Sequence, residues 1–117
     1  MRILFVDDEE AMVLVGGQML EWLGHETSCA TSPRQALDLF RREAHAFDVV
    51  ITDHTMPGMK GLELAEELLK IRRDIPVFLT TGCSELVPEE DIRAVGIRGV
   101  FLKPLKMNAL NEAMDKL

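Results

Sequence analysis

Residues 47–61 read FDVVITDHTMPGMKG, and the fold turns on how that stretch is parsed. Val49, Val50 and Ile51 form an apolar run without polar alternation, as in a strand covered on both faces. The run delivers a single carboxylate, Asp53, into a turn punctuated by Pro57, Gly58 and Gly61. A lone carboxylate at a buried strand end is costly unless it is paired, bound to a metal or used chemically.

Working outward from that strand, apolar runs alternate with amphipathic ones. RILFV (2–6) reads as a strand that stops at Asp7-Asp8. EEAMVLVGGQMLEWLG (9–24) reads as a helix with Met12, Gly16, Met19, Leu20 and Leu23 on one face and Gly24 as its stop. Gly16 and Gly17 each weaken that helix by roughly 1 kcal/mol relative to alanine, which points to close packing there. HETSCAT (25–31) is a polar strand, and SPRQALDLFRRE (32–43) is a helix capped by Ser32 with Pro33 in its first position. GLELAEELLKIR (61–72) is a helix turning Leu62, Ala65, Leu68 and Leu69 inward. IPVFLTTG (75–82) is a fourth strand, and PEEDIRAVG (88–96) a short helix closed by Gly96. GVFLKP (99–104) is a fifth strand, and LKMNALNEAMDKL (105–117) a last helix aligning Met107, Leu110, Met114 and Leu117.

Five strand–helix units in strict alternation predict an α/β domain: a parallel sheet with helices on both faces, joined by right-handed crossovers. The strands around Leu4, Val50 and Val77 are apolar throughout and belong in the centre; the polar second strand belongs at an edge. A 2-1-3-4-5 order, the flavodoxin-like doubly wound arrangement, satisfies both. Ligands bind in such sheets outside the carboxyl ends of the strands at the switch point, here between the first and third. Asp7 and Asp8 end one of these strands and Asp53 ends the other.

Composition narrows the function. At 117 residues the chain has the length of one domain, and we take 1–117 as a single unit. Twenty acids against 13 Lys/Arg give a formal charge of -7, and the longest basic run is Arg72-Arg73. That balance predicts neither a nucleic-acid partner nor an anionic membrane one. MRILFVDDEE does not read as a signal peptide, and no apolar stretch is long enough to span a bilayer. Cys29 and Cys83 fit no metal spacing and no disulfide framework, so a reduced cytoplasmic setting is expected.

Three converging carboxylates repel one another. At an effective dielectric of about 20 each close pair costs on the order of 4 kcal/mol. A divalent cation offsets this, and an all-oxygen site suits Mg²⁺, which commonly recruits phosphate oxygens as well. Lys103 and the hydroxyl of Thr80 or Thr81, from two more strand ends, would reach the same crevice. The combination predicts phosphoryl chemistry with Asp53 as the attacking group.

VDDEE, ITDHTMPGMKG, LTTG and FLKPL, in this order and spacing over essentially the whole chain, together resemble the receiver domain of two-component response regulators. The resemblance implies Asp53 as phosphoacceptor, Asp8 as a direct Mg²⁺ ligand, Asp7 as a ligand through water, and the Thr55 backbone carbonyl as the remaining protein ligand beside Asp53. It implies phosphoryl-sensing roles for Thr81, favoured over Thr80 by spacing and by Gly82, and for Lys103, with a cis Lys103–Pro104 bond. It implies a phosphohistidine donor, either a histidine kinase or a histidine phosphotransfer domain. The wording TMPGMKGLELAEELL is most similar to receiver modules of hybrid sensor histidine kinases; a free-standing receiver is the alternative. A weak homodimer through the fourth helix, fifth strand and fifth helix is compatible with the resemblance. A Mg²⁺-dependent phosphohydrolase with an aspartate nucleophile is the rival class, against which Thr55 stands where such enzymes carry a second aspartate. The domain itself is not expected to be an enzyme beyond its own phosphorylation and dephosphorylation.

Other residues have plainer readings. Glu9 and Glu10 suit a helix N-terminus. His54 reads as a solvated loop residue, His25 and His45 as surface residues, Cys83 as a loop residue near the site mouth, and Cys29 and Trp22 as packing residues. One departure stands out: Val100 occupies the place, three residues before Lys103, where receivers commonly carry Tyr or Phe. Any rearrangement on phosphorylation is therefore expected in the loop 82–85 rather than in an aromatic swing.

Overall fold

The computed structural model describes residues 1–82 and 87–117. Cys83 and the 82–85 loop beyond Gly82 lie outside the described residues. The elements run β1 (Arg2–Val6), α1 (Glu10–Trp22), β2 (Glu26–Ala30), α2 (Pro33–Glu43), β3 (Val49–Asp53), α3 (Gly61–Ile71), β4 (Val77–Thr81), α4 (Glu89–Val95), β5 (Gly99–Leu102) and α5 (Met107–Asp115). All pairings are parallel, in the order β2-β1-β3-β4-β5. The expected topology is what forms, with the polar strand at one edge.

Strand alternation divides the core in two. Leu4, Val6, Val50 and Val77 face α2 and α3 and pack with Phe40, Leu64, Ala65 and Leu68. Ile3, Phe5, Val49, Ile51 and Phe78 face the other way and pack with Leu20 of α1 and Leu110 and Met114 of α5. The Ser32 hydroxyl accepts the Gln35 N–H at 3.1 Å, so α2 begins as its Ser-Pro start predicts. Gly96, in the left-handed region at φ 95°, ends α4.

Two helix faces differ from expectation. In α1 the buried residues are Val13, Gly16, Gly17 and Leu20, whereas Met19 and Leu23 are exposed. The glycines face the sheet because a Cβ at Gly16 would stand 2.4 Å from the Phe5 ring, and one at Gly17 3.0 Å from the Cys29 sulfur. The buried residues of α3 are Gly61, Leu64, Ala65 and Leu68; Leu62 and Leu69 are only half-buried. In α5, Leu110 and Met114 are buried as expected; Leu117, expected on the same face, lies past the helix end and is exposed. Trp22, expected to pack, is 91% exposed at the end of α1. Cys29 is also exposed as a residue, although its thiol donates to the Val13 carbonyl at 3.7 Å. His45 is exposed as expected, but His25 is half-buried between the Met1 amine and the Asn111 side-chain oxygen, at 3.2 and 2.8 Å.

Candidate functional site: an acidic crevice at the strand ends

The site follows from where the strands stop. Val6, the last residue of β1, pairs with Thr52 of β3, so Asp7, just past β1, meets Asp53, the last residue of β3. Asp7, Asp8 and Asp53 each offer a carboxylate oxygen, and these oxygens lie within 4.8 Å of one another. Asp7 and Asp53 are buried, and Asp8 is exposed at the rim. The Lys103 ammonium, one residue past β5, reaches Asp7 Oδ2 at 3.0 Å and Asp53 Oδ1 at 3.1 Å. The Lys103–Pro104 peptide bond is cis.

Backbone donors complete the arrangement. Glu9 N–H donates to Asp7 Oδ1 at 2.9 Å, so both oxygens of Asp7 are engaged. His54 N–H, which also donates to the Thr80 carbonyl, reaches Asp53 Oδ1 at 3.0 Å. Among the described residues no protein donor is found on Asp53 Oδ2. His54 itself is half-buried rather than a solvated loop residue. These backbone donors carry no side-chain signal in the sequence; only the turn after each strand hints at them.

Burial first, and then the charge of Asp7, push the Asp53 carboxyl up to about 6; Lys103 and the His54 N–H pull the other way. Burial alone would lower the Lys103 pKa, but its contacts with Asp7 and Asp53 outweigh that and raise it. The ammonium therefore keeps its proton. One ammonium against three carboxylates leaves the crevice short of positive charge, the condition under which a divalent cation with oxygen ligands binds.

The two threonines separate by register. Thr80 pairs directly with Asp53, and its hydroxyl faces the Thr52 carbonyl at 3.5 Å. Thr81 ends β4, and its carbonyl receives the Lys103 N–H at 2.8 Å. Both are buried. Thr55 is exposed, two residues past Asp53 on the loop toward α3. Val100 lies on β5 at 38% exposure, while Phe101 turns inward and meets the Phe78 ring edge-on at 5.5 Å. Two grooves of about 530 and 560 Å³ lie elsewhere, and neither is lined by the acids or Lys103. No helix of the described residues is long and apolar enough to cross a membrane.

The sequence profile of the response regulator receiver domain matches residues 3–115. The virulence sensor protein BvgS of Bordetella pertussis is 33% identical over 99% of this chain, which spans only about a tenth of that relative's length. A receiver domain protein from Clostridium thermocellum has the same fold, with a TM-score of 0.93 and 30% identity over 98% of this chain and 91% of that one. The response regulator TrrA of Thermotoga maritima, solved in complex with Mg²⁺-BeF, superposes with a TM-score of 0.84 at 30% identity, covering 98% of this chain and 96% of that one. With its profile matched almost from end to end and its strand order shared with solved receivers, the chain belongs to the response regulator receiver domain family.

Proposed function

We propose that this receiver takes a phosphoryl group from a phosphohistidine onto Asp53. The observation that carries the reading is the placement of Asp53: buried, next to Asp7 and Asp8, and held through one oxygen by Lys103 and a backbone N–H. The other oxygen, Oδ2, is left to attack phosphorus as the P–N bond to the donor imidazole breaks. A pKa of about 6 leaves Asp53 mostly ionised at neutral pH and more basic than an ordinary carboxylate.

The residues present fit Mg²⁺. Asp8 and Asp53 would hold it directly, with the Thr55 carbonyl, and Asp7 through water; both oxygens of Asp7 accept hydrogen bonds from the protein. The bound ion would supply charge that neutralises the carboxylates and the incoming phosphoryl oxygens. TrrA, a relative of similar length, carries Mg²⁺ with a phosphoryl mimic. Lys103 would pair with one phosphoryl oxygen and the Thr81 hydroxyl with another.

An open crevice suits a donor presented on another protein, a histidine kinase or a histidine phosphotransfer domain. Similarity to BvgS supports a place within a hybrid sensor kinase; similarity to TrrA over most of its length supports the free-standing alternative. A cytoplasmic setting, residues 1–117 as one domain, and weak pairing through α4, β5 and α5 belong to the same reading. Exposure of Val100 and Leu102 supports the last of these. The phosphohydrolase reading finds no support in the two large grooves, both away from the acids.

The test is labelling with acetyl phosphate, read by intact mass. We expect one phosphoryl group per chain, dependent on Mg²⁺ and absent from Asp53→Asn. Labelling that survives in that variant, or in chelator, overturns the assignment.

A further inference from the structure

We infer that Gly61, the first residue of α3, is a positioning residue for the acidic crevice: its missing side chain sets where the Asp53–Thr55 backbone stands. The inference rests on the phosphoacceptor reading above and adds to it a residue that touches neither metal nor phosphoryl group.

The geometry is specific. A Cβ at residue 61 would lie 2.4 Å from the Asp53 carbonyl oxygen, 2.8 Å from the His54 Cα and 2.7 Å from the Leu79 Cδ1. Two of these three neighbours are backbone and cannot turn aside; only the Leu79 methyl belongs to a side chain. Gly61 also donates its N–H to the His54 carbonyl at 2.7 Å. The His54 peptide is thereby clamped on both sides. Its N–H is held by the Thr80 carbonyl at 2.9 Å and by Asp53 Oδ1 at 3.0 Å, and its carbonyl by α3. The next carbonyl in the chain is that of Thr55, the proposed metal ligand.

The loop between these anchors has few others. Met56 is buried in the α2–α3 core, and the Glu63 carboxylate accepts the Lys60 N–H at 3.1 Å. Any side chain at residue 61 must push α3 away from the end of β3 or displace the Asp53 and His54 backbone. Either movement shifts Asp53 relative to Asp7 and moves Thr55, while the strands beneath stay in register.

Gly58 supplies the control. It lies in the same loop at φ 85°, and a Cβ there meets nothing within 4 Å. Gly58→Ala therefore strains the loop backbone without pressing on β3. Gly61→Ala presses on β3 without needing a left-handed backbone.

The experiment measures Mg²⁺ affinity by calorimetry on the full chain, with backbone amide shifts recorded in metal-free protein. Gly61→Ala is expected to weaken Mg²⁺ binding about tenfold or more, the scale seen when residues supporting a metal ligand are lost. The amide shifts of residues 53–56 should move with it. Gly58→Ala is expected to lower stability yet bind Mg²⁺ as wild type does. Gly61→Ala with Leu79→Ala removes the side-chain clash only. It should bind Mg²⁺ no more tightly than Gly61→Ala, with Leu79→Ala alone as the baseline for the stability lost at that fully buried site. The 53–56 amide shifts read the same displacement where the single variant is too unstable for calorimetry. Recovery of affinity in the double variant, or wild-type affinity in Gly61→Ala, overturns the inference. Failure of wild-type protein to bind Mg²⁺ at all would instead overturn the metal-dependent phosphoacceptor reading.

Discussion

The centre of the sheet and its β5 edge are held by different amounts of packing. Every residue of β3 and β4 is buried, as are four of the five in β1. By contrast α4 has no buried residue, and β5 alternates only between half-buried and exposed. Among the described residues α4 carries one ion pair, Glu89–Arg93, with both side chains 77% exposed, a contact of small value in water. The acids stand on the well-packed side and Lys103 on the other, so a single ammonium spans the boundary. The chemistry proposed for Asp53 would draw directly on a group attached to the loosely held edge. The difference teaches that a rigid frame fixes Asp53 while the neighbouring edge remains easy to move.

The largest effect expected from this contrast is in stability. Ile51→Ala, at a position with no exposure, should cost about 2–5 kcal/mol, read from urea unfolding. Ile92→Ala, half-buried on α4, should cost less than about 1 kcal/mol. Comparable losses would erase the distinction between the two regions.

A smaller effect sharpens it within the crevice. In chelator, the folded pKa of Asp53, about 6, lies above that of an unfolded aspartate, about 3.9. Folding thus favours the protonated form. The stabilisation is complete below about pH 4 and is lost as the pH rises through about 6. Wild type should therefore lose stability relative to Asp53→Asn over that range, by at most about 3 kcal/mol and less after solvent screening. Asp8→Ala, at an exposed position, should lose Mg²⁺ binding but gain no more than about 1 kcal/mol in chelator. Parallel pH profiles for wild type and Asp53→Asn would contradict the clustered-charge account. So would a lower melting temperature for Asp8→Ala than for wild type in chelator.

Much of this contrast was legible in the sequence, for physical reasons that differ by element. Strand order followed from apolar runs against HETSCAT, because a strand covered on both faces cannot carry polar alternation. The acids and Lys103 were legible because strand ends in this topology share one edge. The inward face of α1 was not. Leu14, Val15, Met19 and Trp22 make its exposed side apolar, while the buried side is built around two glycines that periodicity counts as nearly neutral. Only the position of the Phe5 ring and Cys29 explains why small residues face inward there. The clamp at Gly61 was hidden for a related reason. It joins backbone atoms seven residues apart, and its signal is a missing side chain.

The smallest effect concerns transmission across the boundary. Phosphoryl on Asp53 should draw the Thr81 hydroxyl into a charge-assisted hydrogen bond. Thr81 is free to respond: among the described residues its hydroxyl has no protein partner, whereas that of Thr80 is turned to the Thr52 carbonyl. In relatives with an aromatic residue at the position of Val100, a ring would fill the space vacated. Val100 is small and stiff at its first torsion, and the nearby ring, Phe101, is engaged with Phe78. Coupling between phosphorylation and partner binding should therefore fall near the low end of the usual range, about 1 kcal/mol. Beryllofluoride titration followed by amide shifts over residues 87–105 checks this. Thr81→Ala should retain binding of the mimic but flatten the response in β5 and α4. Val100→Tyr, at an exposed site that tolerates a larger side chain, should enlarge it with little change in melting temperature. An undiminished response in Thr81→Ala would remove the threonine from the route. The displaced Lys103 contact would then be the link between the rigid centre and the loose edge.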